Sequence, residues 1–285
     1  MATIINGKEV SAYCRGKIAQ ESRTLSERGI TPKLAVILVG NDPASAVYVK
    51  NKQKACIETG IEPLQLTYGE EMSEAELLSV IDNLNADDTV DGILVQLPLP
   101  KHIRASEVIA RIDPSKDVDA FTYENVGRIV EGKYGFLPCT PAGVMELLKY
   151  YSVDPSGKNC VVVGRSNIVG KPMALLLLNA NATVTVCHSK TADIASVTRA
   201  ADILVVAVGR AGFITADMVK EGAVVIDVGI NRGEDGKLRG DVDFDGVVDK
   251  VGMITPVPGG VGPMTITMLM QNTVNSAKQR LLRTK

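Results

Sequence analysis

In the segment SAVYVKNKQKA (45–55), Lys52 is predicted to lie in a position that is unusual for a charged residue. A start signal at Asp42 predicts a helix here. At about 100° per residue, Lys52 shares a face with apolar side chains, with Tyr48 on the polar flank, while the other two lysines face water. Burial lowers the pKa of a lysine and so makes it a usable base. The alternative is that its stem packs and its amine reaches water.

Three further segments place polar or flexible residues where a ligand is able to reach them. Gln96 interrupts the apolar run GILVQLPLP, and its amide either caps the strand end or hydrogen-bonds a neutral lysine or a substrate. KDVDA (116–120) holds two aspartates, one suited to capping a loop and the other to accepting hydrogen bonds from a ligand. PVPGGVGPMT (256–265) is typical of a structural turn, or of backbone that a flat substrate approaches closely.

A nucleotide site is predicted by VVVGRSNIVGKP (161–172), a strand followed by a glycine turn and a helix. Such a turn brings N–H groups and a helix N-terminus to a phosphate, although the G-x5-G spacing alone also fits a turn without a ligand. The next predicted strand ends in CHSKT (187–191), and no Asp or Glu lies between Gly170 and Asp193. An acid at that strand end normally binds the ribose hydroxyls of NAD. Its absence, together with the cation of Arg165, therefore predicts NADP.

Other strand ends add to this site. Val208-Gly209 and Gly229-Ile230 lie at the carboxyl ends of predicted strands, where open α/β sheets bind ligands. His188 is either a surface histidine with satisfied hydrogen bonds or a direct contact of the cofactor.

No metal site is predicted. DVDFDG (241–246) matches the start of a calcium-binding EF-hand loop, but position twelve would be Gly252 rather than Glu, so we expect an acidic surface turn. The sequence has only two histidines, His102 and His188, and no CxxC pair. Zinc sites and Ser-His-Asp triads are therefore disfavoured.

Composition limits the class of protein. A chain of 285 residues, 45% hydrophobic and 22% charged, suits two soluble domains or one large α/β unit. A net charge of -2 disfavours a nucleic-acid partner, and no apolar run reaches the ~18 residues of a membrane helix. Five scattered cysteines and the lack of a signal peptide predict a cytoplasmic protein. The basic end KQRLLRTK (278–285) is expected to be a solvated helix end.

Strands alternate with helices through both halves of the chain, which predicts parallel pairing and an α/β architecture. KLAVILVG (33–40) has the apolar character of a buried strand, and Ser73 and Glu76 form a capping box at the start of an amphipathic helix. Four short β-branched runs follow in the second half, and the chain ends in a helix. Prolines and a glycine at 135–143 predict a domain boundary.

Taken in order, YVKNK, VQLPLP, KDVDA, VVVGRSNIVGKP, CHSKT and TPVPGGVGPMT resemble the motifs of the bifunctional methylenetetrahydrofolate dehydrogenase/methenyltetrahydrofolate cyclohydrolase family. The resemblance spans about residue 3 to residue 282. It implies a folate-binding catalytic domain at 1–140, onto which a C-terminal helix at 264–285 packs. It also implies a Rossmann-like NADP-binding domain with a doubly wound parallel sheet at 141–263, a folate cleft between the two domains, and a homodimer joined through the nucleotide domains.

The same resemblance implies the reaction. The enzyme would oxidise 5,10-methylenetetrahydrofolate to the 5,10-methenyl cation with NADP⁺, and would then hydrolyse the cation to 10-formyltetrahydrofolate. These are steps of one-carbon metabolism.

The resemblance also implies roles for individual residues. Tyr48 would stack on the aminobenzoyl part of the folate, Lys52 would be the catalytic lysine, and Gln96 would tune it by hydrogen bonding. Asp119 would hold the pterin ring; the family commonly has DVDG where this chain has Ala120, whose methyl group we expect to tune the pterin pocket. Further implied contacts are Val95, Leu97, Pro258, Gly259 and Gly260 for the folate, Arg165 and Ser189 for the 2′-phosphate of NADP, and Gly164, Ser166, Ile168, Val208, Gly209 and Ile230 for the rest of NADP.

Two other functions fit parts of the sequence. A dehydrogenase that has lost the hydrolytic step would have no need of Tyr48, Lys52 and Gln96 together. A non-catalytic NADP-binding regulator would keep the glycine turn, but it would have no use for Lys52, Gln96, Asp119 and the PGGVGP loop.

Overall fold

The computed structural model describes residues 2–283. The strands, in chain order, are β1 (Thr3–Ile4), β2 (Lys33–Val39), β3 (Glu62–Tyr68), β4 (Gly92–Val95), β5 (Asn159–Val163), β6 (Thr183–Cys187), β7 (Ile203–Val206), β8 (Val224–Asp227), β9 (Asn231–Arg232), β10 (Leu238–Arg239) and β11 (Met253–Ile254). The α-helices are α1 (Gly7–Ser26), α2 (Pro43–Thr59), α3 (Glu74–Ala86), α4 (Ala105–Arg111), α5 (Tyr123–Val130), α6 (Cys139–Tyr150), α7 (Gly170–Asn179), α8 (Ile194–Thr198), α9 (Phe244–Val247) and α10 (Val261–Arg283). Within residues 2–283, no helix combines the length and the apolar character needed to cross a membrane.

The chain divides into two compact units. The first comprises the described part of Met1–Ala12 together with Pro138–Thr265, and the second comprises Tyr13–Leu137 together with the described part of Ile266–Lys285. Residues 2–12 thus group with the second half of the chain, because β1 pairs in parallel with β11, whereas the sequence placed them in a domain at 1–140. The predicted domain at 1–140 includes Met1, and the predicted helix at 264–285 includes Thr284 and Lys285. These three residues lie outside the described residues.

The first unit contains a six-stranded parallel sheet in the order β1-β11-β8-β7-β5-β6. After β1, the chain re-enters the sheet at β5, steps outward to β6, and then returns to the other side of β5 for β7 and β8. This reversal makes the sheet doubly wound, with a topological switch point between β5 and β7. The predicted α/β class and the doubly wound sheet of the second predicted domain are therefore confirmed.

The second unit contains a three-stranded parallel sheet in the order β3-β2-β4. The central strand β2 is the predicted apolar run, and every residue of it after Lys33 is buried, as expected for a parallel strand covered on both faces. Helix α3 begins with the predicted capping box: Ser73 Oγ accepts from the Glu76 N–H at 3.3 Å, and Glu76 Oε2 accepts from the Ser73 N–H at 2.8 Å. The apolar face of α3 packs into the same core as β2 and β4.

The basic end of α10 is only in part the solvated helix end that the sequence predicted, because Leu282 and Arg283 are exposed whereas Arg280 is half-buried. Arg280 Nε lies 2.9 Å from Asp91 Oδ1, and the Asp91 side chain is 1% exposed. The backbone N–H of Lys33 also donates to this carboxylate, at 2.9 Å. Burial raises the pKa of the Asp91 carboxyl to about 6, although the Lys33 N–H and Arg280 act in the opposite direction.

Replacing Arg280 with methionine is expected to lower the free energy of unfolding by about 3–5 kcal/mol near pH 8, because Asp91 would stay buried without its counter-ion. Folding already raises the pKa of Asp91 above its value in the unfolded chain, so the ionised carboxylate costs stability above that pKa. The cost should therefore shrink as the pH falls to about 5 and Asp91 takes up a proton. Urea unfolding at both pH values measures this.

Arg104→Met is the matched control, since Arg104 forms an exposed ion pair with Glu74 that should contribute little to the unfolding midpoint. An equal loss in Arg280→Met at the two pH values would contradict the part assigned to Asp91.

Candidate active site

Lys52 and Gln96 form a hydrogen bond in the second unit, in which Lys52 Nζ donates to Gln96 Oε1 at 2.8 Å. The other end of the amide is committed as well, since Gln96 Nε2 donates to the carbonyl oxygen of Leu97 at 2.7 Å. This second bond fixes which end of the amide faces the lysine. The Gln96 N–H bonds to the carbonyl oxygen of Ile37 at 2.9 Å, so that the central strand of the sheet holds the glutamine. On the lysine side, Asp42 caps the N-terminus of α2.

Lys52 itself is half-buried. The same face of α2 packs Val49, Ala55 and Cys56 into the core at 0–1% exposure, while the other two lysines of the segment are exposed. The predicted helix and its division into two faces are confirmed. Burial raises the pKa of the Cys56 thiol to about 12, so this thiol stays protonated and is not a competing nucleophile.

Tyr48 lies one helical turn before Lys52 on α2, with 43% of its surface exposed. An exposed ring so close to the lysine is able to stack on a flat ligand. Val95 and Leu97, which flank Gln96, are buried and half-buried respectively. The structure thus collects five of the predicted folate residues, including Lys52 and Gln96, at the carboxyl end of β4 and on the adjacent helix.

The segment 116–120 is anchored by its first aspartate. Asp117 is 2% exposed, and its Oδ2 accepts from the Thr122 N–H at 2.8 Å and from Asn125 Nδ2 at 2.9 Å. It also forms a bridge with Ile93 of β4. Asp119 is half-buried and follows two residues later. Asp117 is therefore the loop-capping aspartate of the two.

Ala120 has a left-handed backbone, with φ of 57°, and is fully buried. Glycine adopts this conformation without strain, whereas a side chain with a Cβ does not. The DVDG of the family pattern is therefore the sequence that this backbone favours, and Ala120 is accommodated at some cost.

Ala120→Val is expected to destabilise the protein by about 2–4 kcal/mol, because a β-branched side chain is strained at positive φ and overfills a closed site. If Asp119 holds the pterin ring, as the resemblance implies, the KM for the folate should rise as well. Ala120→Gly is the control: relief of strain is offset by the lost methyl burial and by the greater entropy of the unfolded chain, so its stability should lie within about 1 kcal/mol of the wild type. Thermal unfolding and folate kinetics measure both effects; a stable valine variant would contradict the account of this backbone.

The switch point of the first unit carries the predicted glycine turn. Gly164 follows β5 with φ of 128°, and a Cβ built on it would lie 2.2 Å from the carbonyl oxygen of Ala207, which follows β7. Gly170 is equally constrained, since its Cβ would lie 2.3 Å from the carbonyl oxygen of Gly164. Only glycine fits at either position, and the result is a backbone cradle at the point where doubly wound sheets bind nucleotides.

The cradle leads into α7. Ser166 Oγ accepts from the N–H groups of Val169 and Gly170 at 3.2 and 3.3 Å, so this hydroxyl, predicted to contact the cofactor, caps the turn in this structure. Arg165 and Ile168 are exposed on the same turn. A guanidinium and a helix N-terminus beside a glycine cradle together favour a phosphate-bearing ligand.

The end of β6 offers no free carboxylate near this turn. Ser189 and Lys190 are exposed, and the first acid that follows, Asp193, accepts from the Ser196 N–H at 3.0 Å and so caps α8. His188 Nδ1 accepts from the Lys190 N–H at 3.1 Å, which favours the interpretation of His188 as a histidine with satisfied hydrogen bonds. A 2′-phosphate fits this end of the strand better than a bare ribose diol does.

The loop after β7 is held by an acid whose part the sequence did not predict. Val208 and Gly209 donate their N–H groups to Asp241 Oδ2 at 2.6 and 2.9 Å. Asp241 has 0% exposure, so the expected acidic surface turn is wrong at this residue. The calcium-like pattern did draw attention to Asp241, but the N–H groups of Val208 and Gly209 lie more than thirty residues away in the chain, out of reach of any local pattern. Among residues 2–283, no group of acidic, His and Cys side chains is arranged to hold a metal ion.

Asp227, the last residue of β8, is a second buried acid in this region. Its Oδ1 accepts from the N–H groups of Gly229 and Asp241, both at 2.9 Å, and its Oδ2 accepts from the Val242 N–H at 2.9 Å. Burial raises the pKa of this carboxyl to about 6, although the hydrogen bonds from the three N–H groups act to lower it. Ile230 follows β8 and is 47% exposed.

Residues 258–260 lie in the segment that joins β11 to α10. Gly259 has φ of 106°, and a Cβ on Gly260 would lie 2.6 Å from the carbonyl oxygen of Pro256. Both glycines are thus needed for the turn itself, which is one of the two interpretations left open by the sequence. Pro258 is exposed.

These features define a class of protein: an α/β nucleotide-binding unit with a doubly wound sheet, joined to an α/β unit that presents a half-buried lysine hydrogen-bonded to a glutamine. Family models agree with both parts. Residues 5–119 match the catalytic domain, and residues 138–281 the NAD(P)-binding domain, of tetrahydrofolate dehydrogenase/cyclohydrolase. The chain belongs to the tetrahydrofolate dehydrogenase/cyclohydrolase family, which confirms the resemblance inferred from the motifs.

Individual relatives are similar over almost the whole chain. The bifunctional protein FolD of Campylobacter hominis is 58% identical over 282 residues, covering 99% of each chain. The crystal structure of the bifunctional enzyme FolD, a methylenetetrahydrofolate dehydrogenase/cyclohydrolase from Campylobacter jejuni, superposes with a TM-score of 0.97 at 54% identity, covering 98% of this chain and 100% of that one. The Trypanosoma brucei enzyme, solved as a complex with NADP cofactor and an inhibitor, gives a TM-score of 0.93 at 38% identity and covers 98% of each chain.

Proposed function

We propose that this chain is a bifunctional enzyme of one-carbon metabolism. It oxidises 5,10-methylenetetrahydrofolate to 5,10-methenyltetrahydrofolate with NADP⁺ and then hydrolyses the product to 10-formyltetrahydrofolate. The observation that carries the proposal is the 2.8 Å hydrogen bond between Lys52 Nζ and Gln96 Oε1. A binding protein or a simple dehydrogenase has no need of a lysine held in this way on a half-buried helix face.

The switch point of the first unit fits NADP. The cradle at Gly164 accepts no side chain, Arg165 is exposed beside it, and the acid nearest to the end of β6 is committed to a helix cap. When bound, NADP⁺ accepts a hydride from the methylene carbon of the folate. We assign Arg165 and Ser189 to the 2′-phosphate. The remaining contacts would be Gly164, Ser166, Ile168, Val208, Gly209 and Ile230.

The folate is assigned to the residues around the lysine. Tyr48 would stack on the aminobenzoyl ring with its exposed face, and the carboxylate of Asp119 would accept hydrogen bonds from the pterin ring. Both positions are held by rigid elements, α2 and the segment bridged to β4. Further contacts would be Val95, Leu97, Pro258, Gly259 and Gly260.

Hydrolysis is the step that needs a proton-handling group. Water adds its oxygen to the methenyl carbon, and the bond from that carbon to N5 breaks. The added oxygen loses both of its protons, one to N5 and one to an acceptor, so that the formyl group remains on N10. Lys52 would receive the leaving proton or stabilise the charge near N5, and Gln96 holds its amine in place for either task. Tyr48 and Asp119 would fix the substrate against it.

We also propose a homodimer joined through the first unit. Strand β6 is an edge strand of the six-stranded sheet, and its residues Thr183, Thr185 and Val186 are exposed. Leu178 of the neighbouring α7 is 56% exposed. An uncovered edge flanked by apolar side chains suits pairing with a second copy.

A reducing compartment, the cytoplasm, is the proposed location. The five cysteines, Cys14, Cys56, Cys139, Cys160 and Cys187, are all free thiols and all buried. A chain made in an oxidising compartment usually pairs such residues. The net charge of -2 supports the proposal that nucleic acid is not a partner.

Product analysis tests the proposed function. Purified protein is incubated with 5,10-methylenetetrahydrofolate and either NADP⁺ or NAD⁺, and the reduced cofactor and the folate products are quantified by mass spectrometry. We expect NADPH and 10-formyltetrahydrofolate in equal amounts, with much less product from NAD⁺. NADPH binding without any turnover of folate would instead support a non-catalytic regulator.

A further inference from the structure

Four hydrogen-bond donors surround Asp241 in an arrangement suited to binding an anion, and the anion is a side chain of the protein itself. Besides the N–H groups of Val208 and Gly209, Asp241 accepts from the Arg210 N–H at 2.8 Å and from Asn231 Nδ2 at 2.9 Å. Three successive backbone N–H groups converging on one point form a nest, the kind of backbone structure that often holds a phosphate. Here the carboxylate of Asp241 occupies it, and all four of its lone-pair positions are used.

This arrangement connects three backbone segments. The Asp241 carboxylate holds the loop after β7, and the Asp241 N–H donates to Asp227 Oδ1, which also accepts from Gly229 in the loop after β8. Asn231 begins the β9–β10 hairpin, and Asp241 follows its second strand. The two acids therefore set the positions of the loops that follow β7 and β8 and of the base of the hairpin.

The packing around the two acids leaves no room for adjustment. A Cβ on Gly229 would lie 2.3 Å from Cγ of Asp241, and a Cβ on Gly240 would lie 1.9 Å from Oδ2 of Asp227. Both carboxylates thus contact the backbone at positions that only glycine is able to occupy. A change at Asp241 therefore acts directly on the backbone of these loops.

We infer that Asp241 is a positioning residue for NADP, which acts by fixing the backbone of Val208, Gly209 and Ile230. The inference rests on the proposed function, in which these three residues contact the cofactor. With the N–H groups of Val208, Gly209 and Arg210 turned toward Asp241, this loop presents the opposite edge of its backbone to the cofactor. The phosphates are left to the glycine turn at Gly164.

Asp241→Asn tests the inference, because the amide keeps the size of the side chain but replaces one acceptor oxygen by a donor. Whichever oxygen is replaced, at least one of the three backbone N–H groups loses its acceptor. We expect the KM for NADP⁺ and the dissociation constant of NADPH, followed by its fluorescence, to rise at least about tenfold. The KM for the folate, and kcat at saturating NADP⁺, should stay within about twofold of the wild type, whereas general damage to the fold would change all four.

Asp202→Asn is the matched control. Asp202 also accepts a backbone N–H, that of Asn159 at 2.9 Å, but it precedes β7 and so lies at the opposite edge of the same sheet. It should leave all four constants unchanged. Asn231→Ala is the milder second variant, since it removes one of the four donors, and it decides the question if Asp241→Asn does not fold; we expect a smaller rise confined to NADP.

Two results would overturn the inference. One is a folded Asp241→Asn or Asn231→Ala protein with wild-type affinity for NADPH. The other is an equal loss of affinity for NADP and for the folate. A wild-type protein that failed to bind NADPH would contradict the proposed function itself, and the two failures are therefore distinguishable.

Discussion

Replacing Lys52 with methionine is expected to abolish the hydrolysis of 5,10-methenyltetrahydrofolate while leaving measurable hydride transfer to NADP⁺. Methionine keeps the length and the packing of the side chain on the half-buried face of α2 but removes the amine that donates to Gln96 Oε1 at 2.8 Å. Hydride transfer releases no proton to the protein, whereas hydrolysis must remove one from the attacking water. The loss of a positioned acid–base group typically costs about 10²–10⁴-fold in rate.

Lys54→Met is the control for Lys52→Met. Lys54 lies on the same helix with 77% of its side chain exposed, and its replacement should change neither activity. Both rates are measured on one preparation, from NADPH formation and from the decay of added methenyltetrahydrofolate. Equal losses of the two activities in Lys52→Met would contradict the division of labour and would indicate that Lys52 only helps to bind the folate.

Arg165→Ala is expected to raise the KM for NADP⁺ by about 10–100-fold and to leave the KM for NAD⁺ within about twofold. A charge-assisted contact with a phosphate contributes about 1.5–3 kcal/mol, and each 1.4 kcal/mol corresponds to about tenfold in affinity. NAD lacks the 2′-phosphate and so has no such contact to lose. The exposed guanidinium of Arg165 lies on the turn between the Gly164 cradle and α7, where it does not support the fold.

Arg199→Ala is the control variant, because it also removes one positive charge from the same unit. Arg199 is an exposed cation of the same unit that follows α8 and donates to the carbonyl oxygen of Asp217 at 3.1 Å. Its removal should change the KM for NADP⁺ less than about twofold. If Arg165→Ala kept the wild-type preference for NADP⁺ over NAD⁺, another residue would have to recognise the 2′-phosphate.

What the sequence predicts well is local in the chain. The Asp42 cap, the helix that follows it and the two faces of that helix depend on residues within a few turns of one another, and all were predicted. The same holds for the capping box at Ser73 and for the glycine turn at Gly164. In each case the chemistry of the residue and the conformation that it favours are decided by near neighbours.

What the sequence does not predict depends on partners far apart in the chain. Arg280 appeared to be one more solvated cation because its partner Asp91 lies 189 residues away. Asp241 appeared to be a surface acid because the N–H groups that it holds lie on another strand end. Likewise, nothing in the first twelve residues indicates that β1 joins the sheet of the first unit. Each of these pairs forms only once the sheets have brought their elements together.

The measurement that tests the central claim most directly is the time course of methenyltetrahydrofolate absorbance in the near ultraviolet. Protein, 5,10-methylenetetrahydrofolate and NADP⁺ are mixed, and the signal is compared with the decay of the same compound in buffer alone. If one chain catalyses both steps, the absorbance rises and then decays faster than in buffer, and Lys52→Met keeps the rise but loses the rapid decay. An absorbance that rises and then falls only at the buffer rate would contradict the assignment of hydrolysis to this protein and leave Lys52 as a packing residue beside a dehydrogenase site.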